Sequence, residues 1–339
     1  MFEEITNAVV ETTASCNLNC RHCGSNCVKN TKANELTAKE WLLVFDQLRG
    51  LGLKQLTLSG GETTIKDDFP QLLDGLQEKN IGFALITNGL TMTDNLAKRL
   101  KDAGARTLGV SVDGNSAIHN YIRGNNRSWL MALNAIATAK AAGLRVAAIT
   151  TVSRLNYAIL PELAKLLHKV GASGWQVQLV SPIGRAKDNS ELAIDEKIFR
   201  EICLALIKLR NIYQSCLDIR AADCFGYDCT LLRGPGWPGC TAGKQTIGID
   251  ACGNVLPCLS LMDERFILGN IRQKTLKEIW RQDNGIMRLF RDDKICQAAG
   301  ICKNCQKYSW CQGGCKSMAL AHFDKFGQAP FCCIRSLFN

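Results

Sequence analysis

Where the eighteen cysteines stand limits what this chain can fold into: four fall between positions 16 and 27, none between 28 and 202, and twelve between 224 and 333. Thiols used only for packing would spread more evenly. A disulfide framework is a poor reading, because 339 residues with 46% hydrophobic content bury a core that needs no covalent staples. Residues 1–13 lack the basic start, apolar run and small-residue cleavage site of a secretion signal, and no stretch approaches the about 18 apolar residues of a membrane span. The expected setting is the cytoplasm, with no membrane partner and with thiols kept reduced for metal ligation. The formal charge of +10 overstates the loaded protein, since thiolate-held clusters carry negative charge, so charge alone points to no nucleic acid.

From residue 5 to about 180, short β-branched or apolar runs alternate with segments of helical period, the pattern of βα units on a parallel sheet. Strands are expected at 8–12, 55–58, 82–86, 107–112, 145–151 and 175–180, and helices at 37–51, 69–79, 94–102, 128–142 and 158–170. Thr37, with Glu40 three residues on, reads as a capping box. Six units are too few for a closed eight-stranded barrel. The fold class is therefore α/β, a partial (β/α)6 TIM-like barrel with its chemistry on loops at the strand carboxyl ends. After a further helix at 195–213, Cys, Gly and Pro become frequent from 223 onward and long periodic runs stop. Two domains are expected: a barrel core at 1–220 and a small cysteine-rich α+β unit at 221–339.

The loop after the first strand reads Cys16-Asn-Leu-Asn-Cys20-Arg-His-Cys23. Three thiolates so spaced can grip three irons of a cubane and leave the fourth open to a ligand. Zinc, completed by Cys27 or His22, is the plainer alternative. The Cys-x3-Cys-x2-Cys spacing, with an aromatic ring at His22 before the third cysteine, resembles the signature of the radical S-adenosylmethionine (SAM) superfamily. That resemblance implies a [4Fe-4S] cluster that binds SAM, reductive cleavage to a 5′-deoxyadenosyl radical, and abstraction of a substrate hydrogen. It also implies cofactor contacts. Ser59-Gly60-Gly61-Glu62 is similar to the family's Gly-Gly-Glu segment, whose exposed backbone and carboxylate receive the methionine ammonium. Asn88 ends strand three, Ser111 and Asp113 end strand four with His119 and Arg123 after them, and Thr151 ends strand five. Read without the resemblance, these are helix caps and loop salt bridges.

Farther on stand Cys240, Gly253 and Cys258, then Cys302-x2-Cys305-x5-Cys311-x3-Cys315 and Cys332. The pattern resembles the seven-cysteine SPASM extension of radical enzymes that modify peptides and proteins. It implies two auxiliary clusters, expected to be [4Fe-4S]: one on Cys302, Cys305, Cys311 and Cys332, with Cys333 as an alternative to the last, and one on Cys240, Cys258 and Cys315. Independently, residues 245–259 read as a hairpin turning at Cys252-Gly253. At ~3.3 Å per strand residue the tip lies roughly 15 to 20 Å from Cys258, which argues against Cys252 as a shared ligand. Some relatives supply a fourth ligand six residues after the first motif cysteine, where this chain has Thr246. Cys224 or Cys229 could fill that vacancy, or serve as a catalytic thiol returning hydrogen to a substrate radical, or merely pack.

By the same resemblance the substrate is expected to be a ribosomally made precursor peptide that is crosslinked or epimerised. Sulfatase maturases place an aspartate after the hairpin-end cysteine, where Leu259 stands here, and the pyrroloquinoline-quinone pathway enzyme has aspartate where this chain has Cys311. With fifteen residues before Cys16, leader recognition is expected from a separate protein or by direct binding, and electrons from a flavodoxin or ferredoxin. Basic residues between 265 and 294 could attract an acidic leader, though such runs are usually solvated. A small-molecule radical enzyme acting on a tetrapyrrole or quinone precursor, and a non-catalytic electron carrier, are the competing classes.

Overall fold

The computed structural model describes residues 4–27, 34–226, 232 and 239–338. Seven parallel strands pair in chain order: β1 (Asn7–Glu11), β2 (Gln55–Ser59), β3 (Phe83–Thr87), β4 (Ala105–Ser111), β5 (Val146–Val152), β6 (Gly174–Leu179) and β7 (Asp218–Ala221). Between them run α1 (Ala38–Gly50), α2 (Phe69–Glu78), α3 (Asp94–Asp102), α4 (Ser116–Arg123), α5 (Ser128–Ala141), α6 (Leu160–Val170) and α7 (Glu196–Tyr213). This is the expected partial barrel with one further strand. The other edge of β1 pairs in parallel with β8 (Thr246–Ile249), which turns back into β9 (Asn254–Leu256), and β10 (Gly269–Asn270) closes the antiparallel edge. The hairpin read from sequence is thus present, but it extends the barrel's own sheet.

Period-two alternation divides each strand between two faces. Ala8, Val10, Leu56, Leu58, Leu85, Leu108, Val110, Ala148, Trp175 and Val177 are buried in the core beneath the helices. Their alternates, Val9, Ser59, Ile86, Ser111, Ile149, Gln176 and Gln178, line a cavity on the concave side. The helices answer with their own apolar faces: α1 buries Trp41, Val44, Phe45 and Leu48 behind a complete Thr37–Glu40 capping box. Two elements of the barrel half escaped the sequence reading. β7 has four residues, too short for alternation to register, and α4 has eight, although its Asn115 cap and left-handed Gly124 are start and stop signals visible in the chain.

Arg272 ties the halves together, donating from Nε to Glu40 Oε1 at 2.6 Å and from Nη1 to the Asn34 carbonyl at 2.8 Å. Its hydrogen bond holds the Glu40 carboxyl down to about 2. Half of the basic residues between 265 and 294 are committed in this way. Arg265 pairs with Asp263 and Asp324, Arg288 with Asp283, and Arg291 donates to the Gly243 and Trp280 carbonyls. Among the described residues, no helix is long and apolar enough to cross a membrane.

Candidate active site

The loop carrying Cys16, Cys20 and Cys23 has little regular structure of its own and is held by its neighbours. Beyond β2, the Gly61 and Glu62 amides donate to the Thr13 and Ser15 carbonyls, both at 2.7 Å, which prolongs the β1–β2 pairing into the loop. A Cβ on Gly61 would overlap the Ser15 carbonyl, so the close approach requires glycine. Glu35 accepts from the Thr13 hydroxyl at 2.7 Å and the Ala14 amide at 2.9 Å, and Asn88 donates to Asn17 Oδ1 at 2.7 Å. From the far side, Arg185 donates from Nε to the Cys20 carbonyl and from Nη1 to the Cys27 carbonyl, each at 2.8 Å, while its amide reaches the Cys23 carbonyl. Arg185→Ala removes charge-assisted bonds worth about 1.5–3 kcal/mol apiece at most. The expected result is less iron at the Cys16 site with auxiliary iron retained, read by iron per chain against a variant lacking Cys16, Cys20 and Cys23.

Behind the loop lies a buried polar network centred on Asp113. Its Oδ2 accepts from Arg123 Nε at 2.6 Å and pairs with His22 Nε2 at 3.0 Å, and its Oδ1 accepts from the Thr151 amide at 2.9 Å. Arg123 continues to Cys20 Sγ at 3.7 Å. Burial pushes the Asp113 carboxyl up, but the charge of Arg123 and then that of His22 prevail and hold it well below the usual carboxylate range. Burial pushes Cys16 up to about 11 and raises Cys20 too, Arg123 opposing, so these thiols stay neutral until iron displaces their protons. Cys23 is held down to about 5, chiefly by a hydrogen bond with Cys27.

His119 accepts the Asp113 amide at Nδ1, and its buried Nε2 has no partner among the described residues. Burial holds it down to about 4. The unfolded chain therefore binds a proton that the native state refuses between about 4 and 6.5. Stability contributed by this group rises with pH across that window, by up to about 1.4 kcal/mol per unit. Urea midpoints at pH 5 and pH 7 should differ less in His119→Gln than in the unaltered protein.

A cavity of about 1030 Å³ opens before the loop, lined by His22, Cys23, Ser59, Ser111, Arg123, Thr151, Gln176, Gln178 and Lys187 from the barrel and by the stretches 258–265 and 317–324 from the C-terminal half. Gln176, Lys187, His322 and Asp324 were not foreseen; the alternation of β6 puts Gln176 on the same face as Gln178. Gly60, Gly61, Glu62, Asn88 and Asp113 do not line the cavity. Glu62, expected to meet a ligand's ammonium, is buried, and its oxygens accept from Thr64, the Thr87 hydroxyl at 2.8 Å and the Asn88 amide at 2.7 Å. Burial raises its carboxyl, with those bonds opposing.

A second cavity, of about 470 Å³, is lined by Cys302, Cys305, Cys311 and Cys332 together, with Phe225 and Tyr308. Cys240, Cys258 and Cys315 form another group: burial and then the neighbouring thiols push Cys315 up, and Cys258 rises to about 11. Among the described residues, no three Cys, His, Asp or Glu side chains close on a single ion. Cys252 sits at the β8–β9 turn, its amide on Asp250 and its carbonyl on Asn270. Cys229 lies outside the described residues.

A model of the radical SAM superfamily matches residues 10–167, and one of an iron-sulfur cluster-binding domain, SPASM, matches 240–306. The chain belongs to the radical SAM superfamily and carries a SPASM domain. An AdoMet-dependent heme synthase of Nitratidesulfovibrio vulgaris is 26% identical over 95% of this chain and 90% of its own. Mycofactocin maturase MftC of Mycolicibacterium smegmatis is 28% identical over 90% of this chain and 76% of its own. SuiB of Streptococcus suis, solved bound to S-adenosylmethionine, shares the fold with a TM-score of 0.77 at 16% identity, over 99% of this chain and 78% of its own.

The residues of this radical SAM enzyme fit its iron-sulfur cofactors. Cys16, Cys20 and Cys23 share one braced loop with Cys23 on the cavity wall, and four more thiols surround a cavity rather than a point. When bound, the cluster supplies the electron that cleaves SAM to a 5′-deoxyadenosyl radical, which takes hydrogen from the substrate. The chain itself braces the loop through Arg185 and Asp113, lines the cavity with hydroxyls and amides, and covers it with its C-terminal half.

Proposed function

We propose that this enzyme modifies a ribosomally made precursor peptide, by crosslinking or epimerising it, in the cavity between barrel and C-terminal half. The state of the cavity's charges carries this reading. Two of its basic side chains are already paired, Arg123 with Asp113 and Arg265 with Asp263 and Asp324, while Gln176 and Gln178 offer the donors and acceptors that peptide groups require. At about 1030 Å³ the space just exceeds the about 300–1,000 Å³ usual for a small-molecule site. Likeness to a mycofactocin maturase supports the same reading. In it, SAM contacts fall to Ser59, Ser111, Arg123 and Thr151, with Gly60, Gly61, Glu62, Asn88 and Asp113 shaping the wall behind them. Residues 1–220 form the radical core, and 221–339 the auxiliary domain. A flavodoxin or ferredoxin in the cytoplasm supplies electrons, and a separate protein presents the leader.

Likeness to a heme synthase favours a second reading, a tetrapyrrole substrate. Reconstituted, reduced enzyme given SAM and either a peptide encoded beside its gene or an iron tetrapyrrole bearing carboxylates separates the two. The expected result is substrate-dependent 5′-deoxyadenosine with loss of hydrogen, or solvent deuterium uptake, in the peptide. A modified tetrapyrrole beside an untouched peptide would reverse the assignment.

A further inference from the structure

We propose that Cys224 is the fourth protein ligand of the auxiliary cluster held by Cys240, Cys258 and Cys315. Cys224 lies in the turn Asp223–Phe225, directly after β7. That turn is fastened to the barrel at two points: the Ala222 amide donates to the Val177 carbonyl at 2.8 Å, and the Leu179 amide donates to Cys224 Sγ at 3.1 Å. An N–H aimed at sulfur is the outer-shell contact that steadies a metal-bound thiolate. The turn also abuts the cysteine group. Gly226 packs against Gly314, whose Cβ position is 3.9 Å from Gly226 Cα, and this places Cys224 beside the segment that carries Cys315.

Among the described residues, Thr246, Cys252, Cys296 and the four cysteines of the second cavity are engaged elsewhere. Thr246 sits in β8 opposite Asn7, its hydroxyl 2.8 Å from that of Thr241. Cys252 is at the hairpin turn, Cys296 donates to the Leu289 carbonyl, and Cys302, Cys305, Cys311 and Cys332 surround the other cavity. Nor does Cys224 line the large cavity, where a thiol returning hydrogen to a substrate would have to stand. Ligation exchanges its S–H bond for an S–Fe bond and releases the proton to solvent, with no change of oxidation state. The cluster is then closed by four thiolates and offers no iron to substrate. This inference rests on the cofactor assignment and is independent of which substrate the enzyme takes.

The test uses the full chain with Cys16, Cys20 and Cys23 changed to alanine, so that the auxiliary clusters alone contribute to the spectrum. Cyanide is added to the reconstituted, reduced protein with and without Cys224→Ala. The expected result is an electron paramagnetic resonance signal that shifts in Cys224→Ala and stays unchanged in its parent. A shift in both proteins, or in neither, overturns the proposal. Should Cys224→Ala fail to hold clusters, iodoacetamide mapping of the unaltered enzyme decides. Cys224 is expected to be protected in the loaded protein and alkylated once a chelator has removed the iron. Equal labelling before and after chelation defeats the proposal.

Discussion

Asp113→Ala is expected to cost about 3–5 kcal/mol of stability and to strip iron from the Cys16, Cys20 and Cys23 site. The carboxylate is fully buried and receives Arg123, His22 and the Thr151 amide. Removing it leaves the Arg123 guanidinium buried and uncompensated, the costly way to break an ion pair, and frees His22 directly, and Cys20 through Arg123, from the segment after β4. Asp113 titrates below its ordinary value in the folded state, so its contribution is present above about 3.9, the unfolded value, and is lost as pH falls below it. Asp113→Ala with Arg123→Met removes both charges and should recover part of the stability but none of the iron. Urea unfolding and iron per chain measure the two effects. A loss under about 1 kcal/mol for the single change would show that solvent or another group compensates Arg123.

Gly61→Ala is expected to be nearly as damaging, for a steric reason. The added methyl falls on the Ser15 carbonyl, one residue before the first cluster cysteine. The backbone cannot withdraw without breaking the bonds from the Gly61 and Glu62 amides to Thr13 and Ser15. Overpacking costs about 1–3 kcal/mol, and an unsatisfied buried amide about as much again. The same substitution at Gly50, in the last turn of α1 with nothing within 4 Å of its Cβ position, is the control. It should leave stability unchanged or raise it by about 0.4–1 kcal/mol through the unfolded chain. Gly61→Ala is expected to lose SAM binding along with iron at that loop, measured by calorimetry on reconstituted protein. Full SAM affinity would mean that the loop can move aside.

Local chemistry was legible in this chain where it repeats within a few residues. Six strands, most helices of the barrel, the Thr37–Glu40 cap and the hairpin ending at Cys258 follow from periods of two and of about 3.6 residues and from turn residues. The cysteine spacings carried the radical SAM and SPASM assignments, because ligands on one short loop are close whatever the rest of the chain does. Local patterns did not tell which way Glu62 faces. It was read as a contact for SAM; in the fold the loop after β2 places its oxygens on the Thr87 hydroxyl at the end of β3 and the Asn88 amide just beyond it. They also did not show that Asp113 and Arg123 brace the cluster loop, since that network joins residues up to 103 positions apart. The hairpin itself was expected, but its pairing with β1, which closes the C-terminal half over the cavity, joins backbone groups as far apart as Asn7 and Thr246.

The cysteine loop was the clearest feature of the sequence, and three of its residues determined the kind of chemistry without help from the fold. Tertiary structure decided what that loop rests on and what it faces. A thiolate's affinity for iron is a property of the residue, whereas burial, charge pairing and the shape of a cavity arise only when distant segments are brought together.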